Sequence, residues 1–197
     1  MPGSIEGMAK FLYSAAMSVD GFIAGAGGDM SWLSEYMGPD PTVDELIPQV
    51  GALLVGRRTF SGDDPLKGKE GEGEAFGGGW KGPQVVLTHH PPAEVVPGVT
   101  FVTGFNAAVA EAAAAAGDRY VAILGADVAA QCLRAGVLDE VLVSVMPVLL
   151  GEGTRLFEHP GGAAVKLQPM SVTPAQIAAH LWFRVIAPPG PKPQPRL

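Results

Sequence analysis

One cysteine in 197 residues, Cys132, cannot make an internal disulfide, and no CxxC pair sets out zinc ligands. Charge is sparse, at 17%, and 13 basic against 20 acidic residues leave a net −7 with no block of one sign. That excludes the basic stripe of a nucleic-acid surface and argues against an anionic membrane as partner. Long apolar runs are missing too. The longest, around VLVSVMPVLLG, falls well short of the roughly 20 residues of a spanning helix. MPGSIEGMAKF has no basic segment followed by an apolar one, so no secretory signal is read. The expectation is a cytoplasmic protein in a reducing compartment, with no metal centre and no repeat architecture.

What is abundant is glycine and proline, 27 and 18 residues, just under the roughly 25–30% at which low complexity becomes the default reading. With 47% hydrophobic residues the chain still has material for one core. The prolines crowd into PPGPKPQPRL, so residues 188–197 are expected to be a disordered tail, and 1–9 a flexible one. Residues 10–187 form the expected domain.

Within it, apolar runs stopped by glycine or threonine alternate with helical segments. Phe11–Val19, Ala52–Val55, Val85–Leu87, Thr100–Val102, Tyr120–Leu124 and Val141–Val148 read as strands, several buried on both faces. Thr42–Val50 reads as a short helix capped by Thr42, and Asn106–Ala116 as an alanine helix capped by Asn106 and ended by Gly117. Gly125 opens a further helix that stops near Ala135. Pro147, in or at the end of a strand, suits an edge or a bulge. Val165–Val172 and Ile177–Ile186 alternate and pair as a terminal hairpin. The pattern predicts an α/β fold: a mixed, mostly parallel sheet of about eight strands, flanking helices and an antiparallel C-terminal edge.

In such a sheet ligands bind beyond the carboxyl ends of the strands. Gly56-Arg57-Arg58-Thr59 places a close-approach glycine, two guanidinium groups and a hydroxyl at one strand end, a pattern suited to phosphate, although a solvated Arg pair is the alternative. Thr88-His89-His90 follows the next strand, and Gly125-Ala126-Asp127 starts a helix with free N–H groups. Gly25–Trp32 and Gly62–Gly82 are glycine-rich loops that read either as lids, the second with Phe76 and Trp80 over a substrate, or as surface insertions. Asp20 reads as the cap of its own Gly21 turn or as an acid. Cys132, in an apolar helical setting, reads as core.

Several segments in order, MSVDGFIAG with Trp32-Leu33 downstream, LLVGRRTF, VVLT and LGADVAAQCLRAGVLDEVLVSVMPVLLGEGTRLF, resemble the reductase (C-terminal) domain of the bifunctional riboflavin-biosynthesis deaminase-reductase, in the dihydrofolate-reductase-like superfamily. The resemblance runs from about Lys10 to Ile186. It implies an NADPH-dependent reductase, often dimeric, acting on a small molecule. Carried onto matching positions, Gly56, Arg57, Arg58 and Thr59 would hold the cofactor's phosphates, and Leu87, Thr88 and His89 would border its adenosine. Leu124, Gly125, Ala126, Asp127 and Val128 would cradle the pyrophosphate, with Ala16, Ile23 and Trp32 near the nicotinamide. The zinc-binding deaminase domain has no counterpart. The helical carboxylate that dihydrofolate reductases set beyond the loop Trp falls near Met37, with Glu35 and Asp40 as neighbours, which counts against folate.

The expected function is hydride transfer from NADPH to a small heterocyclic substrate, as in 5-amino-6-(5-phosphoribosylamino)uracil reductases. The alternatives are a catalytically silent NADP(H)-binding module and a dihydrofolate reductase. No proton donor is identified; Asp20, Glu35 and water are the candidates.

Overall fold

Ten strands and four α-helices account for most of residues 8–158, 160 and 162–186, which the computed structural model describes. The expected tails lie outside the described residues save for Met8 and Ala9. In chain order the elements are β1 (Lys10–Ser18), β2 (Phe22–Ala24), α1 (Pro41–Leu46), β3 (Val50–Gly56), α2 (Arg57–Phe60), β4 (Gln84–Leu87) and β5 (Val99–Val102). Then come α3 (Phe105–Ala116), β6 (Tyr120–Leu124), α4 (Ala126–Ala135), β7 (Glu140–Met146), β8 (Thr154–Arg155), β9 (Lys166–Pro174) and β10 (Ala179–Ile186). Eight strands form one sheet in the order β5-β4-β3-β6-β1-β7-β10-β9, and β2 and β8 pair separately. The first six run parallel; β10 lies antiparallel on β7, and β9 antiparallel on β10. This is the expected fold class.

Two cores flank the sheet because the strands alternate their side chains between its faces. On one face, Phe11, Tyr13, Leu54, Val85, Ile123 and Val143 meet α3 and α4. Ala108, Ala112 and Ala116 form the buried stripe of α3 at four-residue spacing, and their small side chains let the helix approach β3. The approach is so close that a Cβ on Gly51 would overlap the Ala116 backbone. On the other face Leu12, Leu46, Leu53, Val86, Ala122 and Leu142 pack together with Trp80.

Local chemistry revises several expected boundaries. The Thr42–Val50 helix is shorter: Asp40, not Thr42, is the cap, its Oδ1 accepting from Thr42 N at 3.0 Å and Val43 N at 3.3 Å, with Pro41 in the first turn. A single 3₁₀ turn, Ile47–Gln49, follows, and Val50 already belongs to β3. Asn106 lies inside α3, because Phe105 packs on the core and Gly104 takes the cap position. β7 ends at Met146, ahead of Pro147, and is an interior strand between β1 and β10; the proline marks neither an edge nor a bulge.

The Gly62–Gly82 segment is not a lid closed by its aromatic residues. Trp80 is buried in the second core and donates its indole N–H to Val50 O at 3.0 Å, and Phe76 packs beside it. The segment is the crossover from β3 to β4, and its aromatic residues do for that face what a helix does elsewhere.

Candidate active site

Parallel strands β3, β4, β6 and β1 all end on one side of the sheet, so the turns singled out in the sequence become neighbours there. The tightest contact joins the β3 and β6 turns. Gly125, which caps α4, has φ of 104°, a conformation L side chains rarely adopt, and a Cβ there would run into Thr59 Oγ1. Gly56 faces Val128, whose Cγ2 would lie 3.1 Å from an added Cβ. The first hydrogen bond of α4 runs from Ala129 N to Gly125 O at 3.1 Å, so the N–H groups of Ala126, Asp127 and Val128 precede it and point out of the helix start. The two glycines thus let Thr59 and Val128 pack directly against the turn backbones, which draws the Thr59 hydroxyl up beside a helix N-terminus that favours anions.

Arg58 forms an ion pair with Asp127 across this surface, tying α2 to α4. Both side chains are exposed, so the pair contributes at most about 1 kcal/mol. Arg57 is exposed and has no ion-pair partner among the described residues. Val128 is buried, so only its backbone can serve a ligand. At the end of β4, Leu87 is half-buried and the buried Thr88 hydroxyl accepts from His90 N at 3.2 Å, closing a turn that leaves His89 and His90 exposed.

Ala16 and Ile23 are half-buried at the ends of β1 and in β2. Trp32, in a 3₁₀ segment Ser31–Tyr36, has a buried Nε1 with no hydrogen-bond partner among the described residues. A donor buried unpaired costs about 1–3 kcal/mol, which a ligand acceptor would recover. Glu35 is exposed on the same segment.

Asp20 is committed elsewhere. Ser18 Oγ donates to its Oδ1 at 2.6 Å, and Leu150 N and Gly151 N donate to its two oxygens at 3.1 and 2.7 Å, clamping the end of β1 to the loop after β7. The serine hydroxyl first, and then the two amides, lower its pKa to about 2. A carboxylate so held is ionised at neutral pH and offers no proton. Because its folded pKa lies below the unfolded value near 3.9, the clamp stabilises fully above roughly pH 4 and is lost as pH falls toward 2. Urea denaturation of Asp20→Asn against the parent should therefore show a stability gap at pH 7 that closes in acid.

Cys132 is fully buried in the α4 core, where burial pushes its thiol up to about 12, consistent with an inert core residue.

Three residues that sequence reasoning did not bring together meet on the second face of the sheet. Ser144 Oγ lies 2.9 Å from His180 Nδ1, and His180 Nε2 lies 2.9 Å from Asp40 Oδ2. The second approach is off the N–H axis, so His180 Nε2 has no aligned hydrogen-bond partner among the described residues although the ring is buried. Ala16, Ser144 and His180 are register partners on β1, β7 and β10. The carboxylate beyond the loop Trp that turns toward the sheet is therefore Asp40, whereas Met37 is exposed. A serine inside a buried strand was the sequence signal; its neighbours depend on strand order.

Known proteins place this architecture. The model of the RibD C-terminal domain matches residues 9–179. A relative in Bacillus subtilis (strain 168), the uncharacterized protein YwjB, is 28% identical over 158 residues, covering 76% of this chain and 83% of its own. A putative riboflavin biosynthesis protein from Shewanella sp. PV-4 superposes with a TM-score of 0.67 at 21% identity, over 90% of this chain and 99% of its own. The Thermotoga maritima diaminohydroxyphosphoribosylaminopyrimidine deaminase/5-amino-6-(5-phosphoribosylamino)uracil reductase gives 0.66 at 18% identity, with 91% of this chain matching 57% of that one. Enterococcus faecalis dihydrofolate reductase, solved with NADP(H), gives 0.61 at 15% identity over 90% of this chain and 98% of its own, so the sheet and its helices are those of the dihydrofolate-reductase-like fold. With the family model spanning nearly all of the described residues, the chain belongs to the RibD C-terminal domain family.

Proposed function

We infer that this protein is an NADPH-dependent reductase of a small heterocyclic substrate, of the kind that reduces 5-amino-6-(5-phosphoribosylamino)uracil. The observation that carries the reading is the Gly125–Thr59 contact. A left-handed glycine, a hydroxyl and three leading N–H groups of α4 converge where the cofactor's pyrophosphate would lie. The fit extends along the strand ends. Gly56 and Thr59 would offer backbone and hydroxyl to the phosphates, Arg57 an exposed guanidinium, and Arg58 a second once it leaves Asp127. Leu87, Thr88 and His89 would border the adenosine, and Leu124 through Val128 the pyrophosphate. Ala16, Ile23 and the unpaired indole N–H of Trp32 would face the nicotinamide.

When bound, NADPH supplies the hydride. The chain's own residues would bind and orient it: the start of α4 would hold the phosphates, and β1 and β2 would set the floor under the reacting ring. Dimer formation is an expectation that the family resemblance raises for this chain.

The test is oxidation of NADPH followed at 340 nm with 5-amino-6-(5-phosphoribosylamino)uracil. Turnover that requires both compounds supports the reading; cofactor binding without turnover supports the silent module, and oxidation dependent on dihydrofolate a folate enzyme. Arg57→Ala is expected to raise the NADPH dissociation constant roughly 10–100-fold, as loss of a charge-assisted hydrogen bond implies. The effect on NADH should be smaller if Arg57 reads the 2′-phosphate, and calorimetry with both cofactors measures the difference.

A further inference from the structure

The second face of the sheet is apolar from Val86 to Leu142, yet it carries a polar row at the end of β7. Ser144, 8% exposed, and His180, 1% exposed, are among the few buried polar residues outside the end of β1 and the Glu140 cluster. A buried imidazole flanked by a hydroxyl and a carboxylate is costly to keep for packing alone, since an apolar side chain would fill the same space without desolvating two polar partners. Asp40 is held twice: Oδ1 caps α1, while Oδ2 lies 2.9 Å from His180 Nε2. With Nδ1 against Ser144, Nε2 is the ring nitrogen left beside the Asp40 carboxylate. Ser144 is in turn the register partner of Ala16, on the same face of the next strand.

We propose that Ser144, His180 and Asp40 form the proton-delivery chain of the reductase, with Ser144 the group that touches substrate and His180 and Asp40 acting through it. The proposal rests on the reductase reading and supplies the proton that Asp20 cannot. Reduction of a C=N or C=O group puts the hydride on carbon and leaves the π electron pair on nitrogen or oxygen, which must gain one proton. The step requires a proton on both ring nitrogens of His180 when the hydride moves: Ser144 Oγ gives its proton to substrate and takes the one on Nδ1. His180 ends neutral, its remaining proton on Nε2 beside Asp40. After product leaves, a solvent proton passes from water through Ser144 Oγ to Nδ1. Asp40 lies beside the ring and compensates its positive charge.

The test uses the full chain, NADPH and 5-amino-6-(5-phosphoribosylamino)uracil, with Ser144→Ala, His180→Gln and Asp40→Asn. Asparagine caps a helix about as well as aspartate, so Asp40→Asn removes the charge and leaves α1 in place. The expected result is a kcat at least about 100-fold lower in Ser144→Ala and His180→Gln, the usual worth of a positioned proton donor. KM and the calorimetric NADPH dissociation constant should stay within about twofold of the parent, as uniform binding is untouched. A long-range nitrogen spectrum of the parent, free of any ligand, should show His180 Nε2 protonated. Parent turnover with all three variants within threefold of it overturns the proposal and leaves the reductase reading standing. An unprotonated Nε2 overturns the proposal as well. A parent that binds NADPH and reduces nothing overturns both. If Ser144→Ala or His180→Gln fails to fold, full activity in Asp40→Asn is sufficient to overturn it.

Discussion

Gly125→Ala is expected to lose both stability and cofactor binding. At φ of 104° an L residue is strained, a cost of about 1–3 kcal/mol. Its Cβ would also meet Thr59 Oγ1, so either the hydroxyl rotates away or α4 shifts outward. Both responses would disturb the proposed phosphate cradle, and losing even one charge-assisted hydrogen bond there should weaken NADPH by roughly tenfold or more. Urea denaturation and calorimetry read the two effects separately. Thr59→Ala in the Gly125→Ala background separates the causes: it relieves the collision and leaves the backbone strain. Partial recovery of stability is the expected outcome. Unchanged stability and NADPH affinity in Gly125→Ala itself would mean that the close approach plays no part.

Trp80→Ala should cost about 3–5 kcal/mol, the usual range for removing a buried tryptophan. The indole fills the second core and its N–H satisfies Val50 O. NADPH affinity should change little, because Trp80 lies toward the starting end of β3, away from the Gly56–Thr59 turn. A lid residue would give the opposite pattern, with stability kept and turnover lost. Thermal melting beside calorimetry distinguishes the two. Some Arg119 compensation is built in, as its Nη1 also donates to Val50 O at 3.2 Å and survives the substitution.

Those two residues also mark what the sequence could reveal. Gly125 was legible because Tyr120–Leu124 is a continuous apolar run that a glycine stops, and a strand buried on both faces leaves little else for such a run to be. β3 and β4 were legible on the same grounds, and the phosphate reading of Gly56–Thr59 followed from their carboxyl ends alone. Trp80 was misread because Gly62–Gly82 has no periodicity; nothing local says that an irregular segment must double back across a sheet to close its core. Asp40 was passed over for Thr42 as the helix cap, since both residue types cap well and Pro41 between them permits either start to be imagined. Ser144 and His180 stand 36 residues apart and meet only because β10 returns antiparallel beside β7, a consequence of strand order that neither segment encodes by itself.

The net charge of −7 would be no obstacle to an anionic cofactor, since the proposed site brings Arg57 and Arg58 to the N-terminus of α4, where one guanidinium answers Asp127 and the other has no ion-pair partner among the described residues. That claim is the centre of the account, and calorimetric titration of the full chain with NADPH tests it most directly. One saturable site is expected, with a dissociation constant of about micromolar or tighter, equivalent to roughly 8 kcal/mol of binding, and weakened by Arg57→Ala. A parent protein that takes up no NADPH under these conditions would contradict it.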